Sequence, residues 1–184
     1  MKIYFSSDTH YFHDNIIKYC SRPFQDAEEM NNKMIENWNA VITEEDVVFH
    51  IGDFSAGLKG RTEELRRIIS SLAGKKVLIR GNHDHLEDAW YIESGFVSVH
   101  DIFAINDVLL SHMPIKDMQQ EEKMFVVHGH IHRTDVPNFD KHFNVAVDRN
   151  NFAPVPLEVV IPLEMQDAFI NEVRKNFLSS TMRL

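Results

Sequence analysis

The sequence predicts an α/β fold: a four-layer α/β/β/α sandwich in which two mixed sheets pack face to face with helices outside. Three observations lead there. Apolar, β-branched runs alternate with amphipathic helical stretches through the first half, which implies parallel βαβ units. The second half is richer in strands, which implies a second sheet region. The chain has 184 residues, enough for one domain with a full core and short for two, so residues 1–184 are expected to form a single domain.

Lys2 to Ser7 reads as the first strand and opens into Asp8-Thr9-His10; strand alternation would set Asp8 and His10 on one face. Tyr11 to Cys20 reads as a loop and a short helix bearing Ile16, Ile17 and Tyr19, ended by Pro23. Asp26 with Glu29 three residues on is a capping-box pattern. The helix after it carries Met30, Met34, Trp38 and Val41 at core-facing spacing, a stripe that reads as packing. Asp46 to Ile51 is the second strand, ending at Gly52-Asp53. Thr62 is expected to cap a helix with Leu65, Ile68, Ile69 and Leu72 on its apolar side, stopped at Gly74. Lys76 to Ile79 is the third strand and runs into Arg80-Gly81-Asn82-His83-Asp84. Leu86 to Ser94 reads as helix. Val97 to Ile105 and Val108 to Ser111 read as two strands joined at Asn106-Asp107, followed by His112. Glu121, Glu122 and Lys123 read as a solvated loop. Met124 to Val127 is a strand ending in His128-Gly129-His130-Ile131-His132. Phe143 to Val147 and Val155 to Ile161 read as late strands. A last helix after Pro162 carries Met165, Phe169, Ile170, Val173 and Phe177 on its apolar side.

Hydrophobic content of 43% and charged content of 26% are ordinary for a soluble globular protein. A formal charge of -9 argues against a general nucleic-acid or acidic-membrane binder, although bound divalent cations would offset part of it. The lone Cys20 excludes an internal disulfide and any thiolate cluster, and it reads as a small core residue. The apolar run after Met1 is too short for a signal peptide, and no stretch approaches the ~20 apolar residues of a membrane span, so a cytoplasmic location is expected. The unusual feature is 11 histidines.

Five polar motifs stand where strands end: Asp8-x-His10, Gly52-Asp53, Gly81-Asn82-His83-Asp84, His112, and Gly129-His130-x-His132. In open α/β sheets that end is where ligands bind. The side chains are carboxylates, imidazoles and an amide, without a thiolate. That set suits Mn²⁺, Fe, Zn²⁺ or Ni²⁺ and not an oxygen-only Mg²⁺ or Ca²⁺ cage. The ligands are too many for one tetrahedral ion and about right for two ions that share one ligand, with one aspartate between them. Taken singly, Asp-x-His or His-x-His is a weak signal, and Asn82-His83-Asp84 alone is a polar turn. Together, each at a strand end, they are hard to obtain by accident.

With these motifs the chain resembles the calcineurin-like metallophosphoesterases, most closely the short bacterial and phage members without a cap domain. The resemblance spans Asp8 to His132 and implies the same two-sheet sandwich. It implies that Asp8, His10 and His132 hold one metal, that Asn82, His112 and His130 hold a second, and that Asp53 bridges them. It implies that His83 is the catalytic imidazole, oriented by Asp84. The implied activity is phosphoester hydrolysis, with a metal-activated hydroxide attacking phosphorus in line and His83 assisting the leaving group. Protein Ser/Thr phosphatases of this superfamily continue Gly-Asp with Asp-Arg-Gly. Here Phe54-Ser55-Ala56-Gly57 follows, which argues against phosphoprotein substrates. An open site without a cap favours phosphodiesters or nucleotides. The expected partner is therefore a small phosphoester or nucleotide and not a membrane; the want of a basic track argues against a nucleic-acid strand without excluding one. A phosphomonoesterase or a nuclease would share this site, and non-catalytic interaction modules share the fold; such modules usually lose ligands or the catalytic histidine, and this chain keeps both.

Around these motifs, His13 and Asn15 are candidates to line the substrate side, with Arg22 contacting a phosphate oxygen; the plainer alternatives are a cap for Asn15 and a surface ion pair for Arg22. His85 has a supporting or a surface role. His50 and His128 read as satisfied core or supporting groups, His100 and His142 as structural, and Asn144 and Asp148 as supports of the site from behind.

Overall fold

The computed structural model describes residues 1–115, 124–134 and 141–178. Along the chain run β1 (Ile3–Ser6), α1 (Asp14–Tyr19), α2 (Ala27–Val41), β2 (Val47–Ile51), α3 (Thr62–Ser71), β3 (Lys75–Ile79), α4 (Asp88–Ser94), β4 (Phe96–His100), β5 (Ile102–Ile105), β6 (Val108–Ser111), β7 (Phe125–His128), β8 (His142–Asn144), β9 (Val155–Pro156), α5 (Leu157–Val160) and α6 (Leu163–Leu178). One sheet has the order β4-β3-β2-β1-β9, with β1 to β4 parallel and β9 antiparallel to β1. The other has the order β5-β6-β7-β8, with only the β5–β6 pair antiparallel. Both are mixed, as the sequence predicts.

The apolar alternation of the strands divides the core into two layers. Phe5, Phe49, Ile51, Val77 and Ile79 of the first sheet meet Val108, Leu110 and Val127 of the second in one buried cluster. The opposite face of the first sheet offers Tyr4, Val48 and Leu78 to Met30, Met34 and Trp38 of α2 and to Leu65 and Ile69 of α3. Burial on both faces is why β2 and β3 read as continuous apolar runs. Asp26 does cap α2, its side chain accepting the Glu29 N–H at 2.8 Å, while the Glu29 carboxylate takes the N–H of Gln25. Among the described residues, no helix is long and apolar enough to cross a membrane.

Five expectations are corrected. The run Val97 to Ile105 is two strands. Asp101, almost fully exposed, breaks it; β4 pairs with β3, and β5 pairs with β6 in the other sheet. This is where the chain passes between sheets, and apolar alternation that continues past a turn conceals it. Val155 to Ile161 is strand only over its first two residues. Leu157, Val160 and Ile161, all buried, are spaced i, i+3, i+4, so the segment turns helical and leaves Val159 outside. Phe143 to Val147 is strand only to Asn144, whose side-chain oxygen accepts the Ala146 N–H and turns the chain into a 3-10 turn over Val147–Arg149. In the helices, Thr62 is the first residue of α3 and not its cap, and Val41 at the end of α2 faces solvent. The loop expected at Glu121, Glu122 and Lys123 lies outside the described residues.

Phe169 of α6 is fully buried in the inter-sheet cluster, its ring centroid 5.8 Å from that of Phe5 and 5.9 Å from that of Phe49. Phe169→Ala should destabilise the protein by about 3–5 kcal/mol in chemical denaturation, because those neighbours are held by adjacent strands of the first sheet and cannot close the cavity.

Candidate metal centre

The loops after β1, β2, β3, β6 and β7 converge, so all five motifs meet at one site. The loop after β1 lies alongside the loop after β2: the N–H groups of Asp8, His10 and Tyr11 donate to the carbonyls of Gly52, Asp53 and Phe54, each at 3.0 Å. The N–H of Gly129 donates to the His112 carbonyl at 3.0 Å, which ties the ends of β7 and β6. The backbones are pressed close. A Cβ on Gly81 would strike Asp53, and one on Gly129 would strike Asp8 and Ser7, so both positions need glycine for space alone.

Four groups of atoms that could hold a metal ion result among the described residues; His10, Asp53 and His83 form one and Cys20, His132 and Asp148 another, and two consist of expected ligands alone. In one, ring nitrogens of His10 and His132 and a carboxylate oxygen of Asp8 lie within 4.8 Å of one another; in the other, so do those of Asp53, His112 and His130. Asn82 joins the second, its Oδ1 3.2 Å from His112 Nε2. Asp53 stands between the two, its Oδ2 3.5 Å from His10 Nε2 and 3.3 Å from His112 Nε2. All seven residues expected as ligands are thus brought together. The buried Nε2 of His10 has no hydrogen-bond partner, which an ion between Asp8 and Asp53 would supply. The donor set of carboxylate, imidazole and amide fits divalent ions of the Mn, Fe, Zn or Ni type.

The local backbone differs from the expected one. Asp8 and His10 lie beyond the end of β1 and His130 and His132 beyond β7, so strand alternation does not pair them. Asp8, His10, Asp53, His130 and His132 all have φ between 47° and 68°, the left-handed region that L-residues rarely adopt. Each such residue costs on the order of 1 kcal/mol, and such strain concentrates at functional sites. Because the intervening residues return to ordinary backbone, the motif side chains are turned onto one side of the loop.

The supports are specific. Ser7 Oγ donates to Asp8 Oδ2 at 2.5 Å, and the His130 N–H donates to the same carboxylate at 3.0 Å. The His83 N–H donates to Asp53 Oδ1 at 2.8 Å, leaving Oδ2 facing the histidines. His112 Nδ1 is 2.8 Å from the Ile51 carbonyl, which directs Nε2 toward Asp53. Asp148 Oδ2 is 2.7 Å from His132 Nδ1, and the Asn144 amide donates to the His132 carbonyl at 2.8 Å, so both act from behind the site as expected.

Two expected roles are corrected. Arg22 is buried beneath the site: it holds both oxygens of Asp148 at 2.9 Å and donates to the carbonyls of Asp8 and Thr9, so it cannot reach a substrate phosphate. Its carboxylate partner lies 126 residues away in sequence, which the local sequence does not show. Asp84 does not hold the His83 ring. Its buried carboxylate accepts the N–H groups of Asp53, Phe54 and Gly81 at 2.7, 3.0 and 2.9 Å, and so splices the loops after β2 and β3. His83 is exposed, its ring 5.2 Å from that of His10 and 6.0 Å from that of His13. His13 is half-buried, its Nδ1 3.4 Å from that of His10, and Asn15 is exposed nearby. His50 is buried behind the site against Thr9 Oγ1 at 3.1 Å.

Two clefts open beside the clusters. One, of about 410 Å³, is lined by Phe12, His13, Asp14, Asn15, Gly57, Lys59 and Arg61. The other, of about 540 Å³, includes Tyr19, Cys20, His130, His132, Arg133 and Thr134. Lys59 and Arg61 escaped the sequence reading. The signal available was a pair of cations in a glycine-punctuated loop soon after Asp53.

The charges are strongly perturbed. Burial pushes the Asp8 carboxyl up. Burial also pushes Asp53 up, but the hydrogen bond and charge of His112 and the charge of His10 outweigh it and hold the carboxyl well below its usual range. Burial lowers His112 and His132, yet neighbouring carboxylates win and raise them to about 9 and about 10. His10, with burial dominant, is pushed down to about 2. Burial raises Asp84 to about 6.

A sequence model described as calcineurin-like phosphoesterase matches residues 1–176. An uncharacterized protein of Methanocaldococcus jannaschii is 34% identical over 170 residues, covering 88% of this chain and 90% of that protein. The gene 66 protein of Mycobacterium phage L5 is 29% identical over 160 residues, 70% of this chain and 76% of that one. Among solved structures, the protein of unknown function AQ665 from Aquifex aeolicus superposes with a TM-score of 0.67 and 27% identity, covering 86% of this chain and 96% of that one.

In metal-free protein His112 and His132 hold protons that unfolded histidines lose near pH 6.5, so the folded chain binds more protons between 6.5 and 9–10. Stability of the chelator-treated protein should therefore fall as pH rises through that window, measured by thermal melts. A divalent ion must displace those protons, so its apparent affinity should rise over the same window, by up to about tenfold per pH unit for each proton displaced. Asp148→Asn should weaken binding of one of two ions by about 10–100-fold in titrations, by loosening His132.

Proposed function

The chain belongs to the calcineurin-like phosphoesterase family, and from that premise we propose that it is a phosphodiesterase or nucleotide phosphoesterase working with two divalent ions. Asp8, His10 and His132 would hold one ion, and Asn82, His112 and His130 the other, with Asp53 shared. The observation that carries the reading is Asp53 Oδ2 standing 3.5 Å from His10 and 3.3 Å from His112, one carboxylate oxygen facing both clusters. The chemistry that divalent ions held there would supply is positive charge for the phosphoryl oxygens and a more acidic water near neutral pH.

The remaining chemistry belongs to the chain itself. Burial of Asp8 and Asp53 excludes bulk water from one side of the site, which strengthens every charge interaction there. His83 is exposed beside His10, and its ring is free to meet the departing oxygen and give it a proton. Its backbone N–H, bonded to Asp53 Oδ1, fixes the loop on which that ring swings. Asp84 serves by splicing the two loops that carry Asp53 and His83. His13 and Asn15 line the substrate side. The two clefts favour a diester over a monoester, because a diester has two arms to seat. We place all of this on one domain without a cap, in a reducing cytoplasmic compartment, with a small phosphoester as substrate.

The test is hydrolysis of bis(4-nitrophenyl) phosphate with Mn²⁺ present. Turnover should vanish with chelator, fall by several orders of magnitude in Asp53→Asn, and fall about 100-fold in His83→Ala. Turnover of Asp53→Asn near the unsubstituted rate would overturn the shared-ligand assignment.

A further inference from the structure

The cleft bounded by His13 joins two features that the hydrolytic chemistry leaves unused. The first is an aromatic floor. Phe12 has φ of 68°, and its N–H donates to Asn31 Oδ1 at 3.2 Å, so its ring is set by the loop and by α2. Arg61 lies over that ring, its Cζ 5.7 Å from the centroid. The second is unspent positive charge. Lys59 and Arg61 are both exposed, and neither has a carboxylate within 4.0 Å among the described residues. The acidic residue in the lining, Asp14, is already engaged, its Oδ1 accepting the Ala27 N–H at 3.0 Å at the start of α2. In a chain of net charge -9, two uncompensated cations on one wall of a cleft are a local reversal of sign.

The cleft also has a definite relation to the reacting centre. His13 lines it and faces both His10, at 3.4 Å between Nδ1 atoms, and the ring of His83, at 6.0 Å between centroids. On the diesterase reading, the arm of a diester that His83 protonates would depart on the His13 side. A second cleft of about 440 Å³ between α2 and α3 shares Phe12 and Arg61 with the first; Arg67 there is matched by Glu28 and Glu64, so the uncompensated cations are those of the first cleft.

Resting on the diesterase reading, we propose that this cleft seats the leaving arm of the diester and that Lys59 and Arg61 select arms bearing a second phosphate. Hydrolysis adds water across the scissile P–O bond: the phosphorus side keeps the new hydroxyl as a phosphomonoester, and the departing oxygen takes the proton from His83. The product released from the cleft is then an alcohol that carries its own phosphate. Arg61, steadied over the Phe12 ring, offers a fork to two phosphate oxygens and Lys59 a point charge. The volume suits a nucleoside-sized arm.

The test compares thymidylyl-(3′→5′)-thymidine with its 5′-phosphorylated and 3′-phosphorylated forms under Mn²⁺, with products resolved by chromatography. One of the two phosphorylated dinucleotides should be cleaved at the internal diester with kcat/KM at least about tenfold above the plain dinucleotide, and the advantage should shrink with added salt. In Lys59→Ala/Arg61→Ala that ratio should fall to within about twofold of unity. Lys175→Ala, which removes a distant surface cation on α6, should keep it. If all three dinucleotides turn over at equal kcat/KM, or the ratio survives the double substitution, the subsite assignment is overturned while the diesterase reading stands. If none is cleaved and bis(4-nitrophenyl) phosphate is not cleaved either, the diesterase reading falls and takes the subsite with it.

Discussion

Asp8 and Asp53 are buried carboxylates at the junction of two sheets, and most of the surrounding structure makes their negative charge tolerable. A carboxylate withdrawn from water is costly unless it is paired and hydrogen-bonded. Here the pairing comes from imidazoles and the hydrogen bonds from Ser7 and the backbone N–H groups of His130 and His83. The raised values of His112 and His132 express the same constraint: protons are held where positive charge is wanted. Divalent cations bound there would satisfy that demand more fully, so metal-free and metal-loaded sites would be two answers to one electrostatic problem.

The scaffold serves this constraint by bringing strand ends together more tightly than ordinary side chains permit. Gly81 and Gly129 lie where a Cβ would strike Asp53 and Asp8. Asp84 accepts N–H groups from the loops after β2 and β3, and Arg22 braces Asp148, which in turn holds His132. The strain of five left-handed residues is carried by these bonds and by the cluster of Phe5, Phe49 and Phe169 beneath. The residues around the motifs are thus chiefly structural, and their removal acts on the site through position.

The acidic balance of the whole chain conceals a different local field at the mouth of the site. On the proposed reading, Lys59 and Arg61 beside Phe12, and Arg133 beside His130, put cations where phosphate oxygens would approach, while Asp14 in the first lining is committed to the start of α2. Net charge therefore bears on partners only after the charges have been located in space.

Much of this was legible in the chain. The α/β class followed from alternating apolar runs and helical stripes such as Met30, Met34 and Trp38, because burial on a strand or helix face imposes a period on the sequence. The seven residues that gather at the site were legible because each stands just past a strand, where polar clusters serve no core. What the sequence could not carry was set by contacts between distant segments. The β4–β5 break at Asp101 decides which sheet each strand joins, and apolar alternation is blind to that choice. Asp84 and Arg22 had the right chemistry for the site, yet their partners, the N–H groups of Asp53 and Phe54 and the carboxylate of Asp148, are fixed by packing. Local periodicity and residue chemistry determined the elements and the donor set. Only the tertiary structure decided which donors face one another, because that depends on how closely the loops can pass.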